Sequence, residues 1–500
     1  MKIRTKFSLI LLFLIGCQLI GVGQIIPEDE KYVPETNPLV LKKLGQWQDI
    51  KFGLLMHWGT YSQWGIVESW SICPEEYDWC KREAGTNPGD YFAYKKEYEA
   101  LKNTFNPMLF NPEKWARAAK DAGMKYVVFT TKHHDGFCMF DSQFTDYKVT
   151  DPACPFSANP RKNIAKEIFN AFRNNGLWVG AYFSKPDWHS PDYWDPAYPP
   201  RDRNVNYEPE ANPEKWDQFT AFTHNQILEL LSEYGPIDIL WLDGGWVRKT
   251  PKADILNWYD EELKAKENGY LPRRIVNQDI RMDELVVKAR EIQPDLIVVD
   301  RAVPGKNQNY LTPENRVPAK PLPYPWESCI TAGQSWSYLK NASYISGKEG
   351  VQLLVDIVAK GGNLLLNIAP GPDGEWQQDA YDLLTEYGDW MKVNGEGIYQ
   401  SKVLEPYKEA NICMTRQTNG NAFFFYLAAA NETRIPSKIN ITSHQPAKGA
   451  IVTLLGSNKS LHWETNGKGF TIHVPKDLQN HPPCNYVWTF RVTQLQPNDQ

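Results

Sequence analysis

Along most of the chain, short unbroken apolar runs alternate with longer stretches whose apolar positions recur every three to four residues. The runs cover residues 51–57, 126–131, 178–184, 237–243, 275–278, 296–301 and 363–368. Parallel strands buried on both faces require this near-continuous apolar character. Residues 112–122, 163–174, 213–234 and 285–292 between them carry the periodicity of amphipathic helices. Strand and helix in alternation predict an α/β fold, and the number of runs favours a (β/α)8-like TIM barrel over an open doubly wound sheet.

Beyond about residue 400 the pattern changes. Residues 423–429, 437–442, 450–455, 470–474 and 486–492 alternate apolar with polar and are separated by Asn- and Gly-containing turns. They predict a C-terminal antiparallel β-sandwich. The proline-rich residues 317–325 read as a long loop inside the first domain. The expected organisation is a barrel over residues 24–395 and a sandwich over residues 396–500, with residues 1–23 set aside as an export signal. That signal rests on Lys2, Arg4 and Lys6 followed by an apolar stretch. Within it, Leu14-Ile15-Gly16-Cys17 resembles a bacterial lipobox, which would make Cys17 a lipidated N-terminus. Cleavage after Gly23 would instead leave a soluble chain starting at Gln24. Both routes place the protein in the periplasm, at the outer membrane as a lipoprotein, or outside the cell.

Composition changes this picture little. A chain of 500 residues exceeds what one core serves, in keeping with two domains. A net charge of −6 makes no electrostatic case for nucleic acid or an anionic membrane as partner. The 19 Trp and 25 Tyr could pack on the C–H faces of sugars, and would equally fill a large core. Apart from Cys17 there are seven cysteines, with no zinc-type spacing; Cys73 and Cys80 are close enough to bridge in an oxidising compartment. Glu75, Glu76 and Asp78 read as a solvated acidic run in a surface loop.

The strand ends carry the chemistry. In a parallel barrel, catalytic groups come from the carboxyl ends of strands. Here those ends read MHWG (His57), TKHHDGF (His133, His134), YFSKPDW (Tyr182), WLDGG (Asp243), VVDR (Arg301) and LNIAPGPDG (Asn367). A metal could draw on His133, His134 and Asp243, but neighbouring histidines on a strand point to opposite faces, so no metal is expected. No G-x-S-x-G supports a serine nucleophile. Two carboxylates acting on a glycosidic bond fit best, and no cofactor is called for. Taken alone, Asp243 before two glycines would pass as a turn residue.

The motifs KFGLLMHWGTYSQWG, YVVFTTKHHDGFCMFDSQFTDY, VGAYFSKPDWHSPDYW, ILWLDGGW, VVDR, LTPE, PWESCITAGQSWSY and GGNLLLNIAPGPDG follow one another from about residue 48 to 375. In this combination and order the chain resembles the α-L-fucosidases of glycoside hydrolase family 29. The resemblance implies a barrel followed by a β-sandwich, retaining hydrolysis of terminal α-linked L-fucose, and a fucosylated glycan as partner. It implies that Asp243 is the nucleophile and that His57, His133 and His134 bind fucose hydroxyls. It further implies pocket roles for Tyr182, Trp241 and Arg301, and for Trp336 near the sugar methyl group. Trp70 with Glu68 resembles a family contact pair, although Ser69 separates them here. Glu314 in LTPE and Glu327 in PWES both compete for the acid/base; the TPE form of the motif favours Glu314. A hydrolase of a related sugar such as an α-L-galactoside, or a non-catalytic glycan-binding protein, would share the scaffold. Trp58, Trp64, Trp188 and Trp246 are read as core packing, and residues 367–370 as loop architecture.

Overall fold

Six of the seven apolar runs form strands, because each is buried on both faces of one parallel sheet. The structure is a computed structural model that describes residues 32–265 and 274–497; the expected export signal, with Cys17, lies outside the described residues. The strands are β1 (Phe52–Met56), β2 (Tyr126–Lys132), β3 (Trp178–Ser184), β4 (Ile239–Asp243), β5 (Ile297–Asp300), β6 (Glu327–Thr331) and β7 (Asn363–Asn367). Their order is β5-β4-β3-β2-β1-β7-β6. Around them run α1 (Pro38–Ile50), α2 (Tyr91–Glu99), α3 (Pro112–Asp121), α4 (Ile164–Asn174), α5 (Pro213–Glu233), α6 (Lys252–Ala265), α7 (Met282–Ile292), α8 (Gly347–Ala359) and α9 (Gln378–Ile398). Helix α3 shows how local sequence sets such an element. The Asn111 side chain accepts from Lys114 N, Pro112 opens the first turn, and Trp115, Ala116 and Ala119 face the core.

The sheet would stay open between β5 and β6 were it not for residues 307–315. The first half of this segment runs antiparallel to β5, with Asp300 N donating to Asn307 O (3.0 Å) and Asn309 N to Val298 O (2.9 Å). The second half runs parallel to β6, with Glu327 N donating to Leu311 O (2.8 Å) and Asn315 N to Cys329 O (2.9 Å). One irregular segment therefore closes the barrel, and Glu314 sits near its end.

Two departures from the sequence pattern concern this region. Residues 275–278 form no strand: the Gln278 side chain instead accepts from Val205 N (3.0 Å) and donates to Asn204 (2.8 Å), so the run packs on a loop. The strand that takes its place in the barrel is β6, whose polar Glu327 and Ser328, directly after a proline-rich stretch, conceal it.

Past α9 the chain forms two antiparallel sheets. One, ordered β12-β15-β10-β9-β8, contains β8 (Lys402–Glu409), β9 (Ile412–Arg416), β10 (Ala422–Leu427), β12 (Val452–Leu454) and β15 (Val487–Val492). The other, ordered β11-β14-β13, contains β11 (Lys438–Ile441), β13 (His462–Asn466) and β14 (Gly469–His473). Between the sheets lie Phe424, Ile439, Phe470, Ile472 and Phe490. The next positions along β10, Phe423 and Phe425, turn the other way and join the barrel's core with Leu384 and Trp390 of α9. Burial on both faces explains why β10 reads AFFFYL without alternation.

Candidate active site

Strand β4 ends in Asp243 because the chain must turn away there. Gly244 has φ +84°, and a Cβ on it would lie 2.2 Å from Pro186 Cδ, so only glycine fits. The turn leaves the Asp243 carboxylate facing the mouth of the barrel. Its Oδ1 accepts from Gly244 N (2.8 Å) and from Arg301 Nη1 (3.1 Å), and its Oδ2 from the Tyr182 hydroxyl (2.7 Å). Burial pushes the pKa up, but the Arg301 charge and these donors outweigh it and hold it at about 2. Asp243 is ionised at any working pH.

Arg301 joins the two acids. While Nη1 holds Asp243, Nη2 donates to Glu314 Oε2 (2.5 Å) and Nε to Thr312 Oγ1 (3.0 Å). The guanidinium lies 4.6 Å from the Trp241 ring. One guanidinium holding both carboxylates makes them neighbours, and a retaining mechanism needs such a close pair. Glu327 sits elsewhere. It is fully buried and does not line the pocket, with the Tyr126 hydroxyl on its Oε2 (2.5 Å) and Trp241 Nε1 on its Oε1 (3.3 Å). Burial lifts its pKa to about 7. Of the two competing glutamates, only Glu314 faces the space in front of Asp243.

The histidines converge on the same space. Asn367 Oδ1 takes the Nδ1 proton of His57 (3.0 Å), leaving Nε2 unprotonated, while Asn367 Nδ2 donates to Trp336 O (2.8 Å). Asn367, read from sequence as loop architecture, therefore orients two pocket residues. His133 and His134 both line the pocket, contrary to the expectation of opposite faces: β2 ends at Lys132, and the strand alternation ends with it. Ser69 bonds His133 Nδ1 (2.5 Å) and accepts from Asp135 N (3.0 Å), so the residue that interrupts the Glu68/Trp70 pair positions a histidine. His134 Nε2 lies 3.9 Å from Asp243 Oδ2. Burial lowers all three imidazoles, His57 to about 4 and His134 to about 3, so each is neutral at pH 7. His133, His134 and Asp243 lie close enough to share an ion. Both Asp243 oxygens, however, already have donors, one of them cationic.

The wall beside His134 is aromatic and charged. Trp70 and Trp246 pack on His134 at 5.2 and 5.1 Å, and the Arg203 guanidinium lies over both rings at 4.7 and 5.1 Å. Glu75 holds Arg203 through Nε (2.8 Å) and Nη2 (2.6 Å). This corrects the reading of an acidic surface run: Glu76 and Asp78 are exposed, but Glu75 is buried because a partner 128 residues away neutralises it. Trp246, read as core, lines the pocket, as do Trp79 and Arg203, neither of which is among the residues the sequence named for the site. Glu68 lies in the same wall with Oε2 unpartnered. Burial, then the charges of Glu314 and Asp243, raises its pKa to about 8, so it is a neutral hydrogen-bond donor.

Of the eleven residues singled out for the site, nine line one pocket: His57, Trp70, His133, His134, Trp241, Asp243, Arg301, Glu314 and Trp336. Tyr182 lies beneath it against Asp243, and Glu327 behind Trp241. Comparison with known proteins identifies the family. The family model described as Alpha-L-fucosidase matches residues 22–396, and that described as Alpha-L-fucosidase C-terminal domain matches residues 412–493. The tissue alpha-L-fucosidase of Bos taurus is 28% identical over 93% of this chain and 91% of its own length. The alpha-L-fucosidase of Dictyostelium discoideum is 26% identical over 94% and 96%. Among solved structures, alpha-L-fucosidase isoenzyme 1 from Paenibacillus thiaminolyticus superposes with a TM-score of 0.70 at 28% identity, covering 92% of this chain and all of that one. The Thermotoga maritima alpha-fucosidase in complex with fucose gives a TM-score of 0.67 at 25% identity, covering 92% of this chain and 100% of that one.

Proposed function

The chain belongs to the alpha-L-fucosidase family, and from that premise we propose how its pocket cleaves the bond. The protein is a retaining glycoside hydrolase, and its substrate is a fucosylated glycan. The observation that carries the mechanism is the Arg301 bridge between an ionised Asp243 and Glu314. Asp243 attacks the anomeric carbon while Glu314 gives a proton to the departing glycosidic oxygen. The C–O bond to the aglycone breaks, and a covalent fucosyl-enzyme forms on Asp243. Glu314, now a carboxylate, removes a proton from water, which attacks the same carbon and restores Asp243. Two displacements return the original anomeric configuration.

The remaining residues hold the sugar. Neutral His57 presents its unprotonated Nε2 as an acceptor, His133 presents the ring nitrogen that Ser69 leaves free, His134 adds a third imidazole, and protonated Glu68 adds a donor. Trp70, packed on His134, and Trp336, packed on His57, supply apolar area, Trp336 against the methyl group. Tyr182 and Arg301 keep Asp243 ionised, and Glu327 orients Trp241 from behind. A pocket closed beneath by Tyr182 suits a terminal sugar. The fucose complex of the Thermotoga maritima relative supports this substrate. The basic and apolar start of the chain supports export, to the periplasm, the outer membrane through a lipid on Cys17, or the exterior.

Proton NMR of an aryl α-L-fucoside digest tests the proposal. α-L-Fucose should appear before mutarotation, and Asp243→Ala should abolish turnover. First appearance of the β-anomer would overturn the double displacement. Turnover of the matching α-L-galactoside in preference to the fucoside would overturn the assignment of Trp336 to the methyl group.

A further inference from the structure

The pocket wall that carries Glu75 and Trp79 begins and ends in a cysteine. Cys73 follows the short turn Ser69–Ile72, which presents Trp70, and Cys80 closes the turn Asp78–Cys80, which presents Trp79. Both thiols are buried in one apolar cluster with Tyr61, Ile72 and Tyr94. Their sulfurs lie within 4.8 Å of each other and of a Glu75 oxygen. Four of the other described cysteines are placed differently: Cys138, Cys154, Cys329 and Cys484 each set the sulfur against a backbone carbonyl. A cation between Cys73, Glu75 and Cys80 would have to displace Arg203, which already takes both Glu75 oxygens. Two facing thiols seven residues apart in a closed loop suit a covalent bond to each other.

We propose that Cys73 and Cys80 form a disulfide that staples this wall of the pocket. The two thiols give up two protons and two electrons to an external disulfide of the glutathione type, which leaves as two thiols; one Sγ–Sγ bond forms. The bond holds the loop on which Glu75 grips Arg203, and Arg203 in turn packs on Trp70 and Trp246. Its effect on catalysis rests on the fucosidase reading above, whereas its existence does not.

The test uses the full chain, made in an oxidising compartment or equilibrated with oxidised glutathione, then alkylated while denatured. A Glu-specific protease cuts after Glu75 and Glu76, between the two cysteines. The two peptides should stay linked, 2 Da lighter than their sum, and separate only on reduction. Peptides that separate without reductant would overturn the proposal. The Cys73→Ser/Cys80→Ser double variant should raise KM for an aryl α-L-fucoside about 3- to 10-fold, with kcat within about twofold. Dithiothreitol should shift the unmodified protein toward the variant and leave the variant unchanged. Linked peptides with no change in KM would overturn the staple's role in the pocket. An inactive protein with linked peptides would count against the fucosidase reading alone.

Discussion

Replacing Glu314 by Gln keeps the side chain's length and removes only its ability to give and take a proton. Arg301 Nη2 would still find an oxygen where Glu314 Oε2 now lies at 2.5 Å, and Nη1 would still hold Asp243 at 3.1 Å. The nucleophile therefore stays in place and the loss isolates proton transfer. A general acid contributes about 10²- to 10⁴-fold, or about 3–5 kcal/mol of barrier. That loss should appear in full for a glycan leaving group, which must depart protonated. A dinitrophenolate departs without help, so kcat/KM for its fucoside, which reports the first displacement, should stay within about tenfold of normal. Azide should accelerate turnover of the variant and yield fucosyl azide, because it needs no base. Glu327→Gln should behave differently. Its neighbours Tyr126 and Trp241 keep an amide to bond, so both substrates should lose activity by one common factor of at most about tenfold. Initial rates on the two fucosides settle the matter. A leaving-group split in the Glu327 variant but not in the Glu314 variant would refute the assignment.

Glu75→Gln leaves the largely buried Arg203 guanidinium without its counter-charge, and should cost about 3–5 kcal/mol in urea unfolding; a change under about 1 kcal/mol would show that the pair contributes little. Gly244→Ala forces an L-residue into φ +84° against Pro186, and should lower kcat/KM at least about tenfold through Asp243, measured beside a thermal melt that confirms folding. For pH, burial holds His57 at about 4 in the folded chain against 6.5 when free. As pH falls below 6.5 the unfolded chain takes the proton first, so stability drains away down to about pH 4, by up to about 3 kcal/mol. Glu68 and Glu327, raised by burial, work in the opposite sense, losing stability as pH rises. Comparing unmodified protein with His57→Gln isolates the histidine: the variant should lose about 2–3 kcal/mol less between pH 7 and 4.5, and equal losses would contradict the assignment.

The barrel strands were legible in the sequence because burial on both faces demands apolar residues at consecutive positions, a purely local constraint. Their polar carboxyl ends were legible for a related reason: His57, Asp243 and Arg301 each break such a run where the sheet opens to solvent. Strand β6 and residues 275–278 show the limit of that signal, since one is a strand with polar residues and the other an apolar run with no strand to join. Tertiary structure alone decided the partnerships. Glu314 and Glu327 stand 13 residues apart, and only the segment that closes the barrel turns one toward Asp243 and leaves the other behind Trp241. Ser69 looked like an interruption until the fold set it against His133. Glu75 looked solvated until Arg203, 128 residues along the chain, met it in the pocket wall. A buried charge is stable only beside its counterpart, and the register of distant elements, not the sequence around the charge, determines where that counterpart lies.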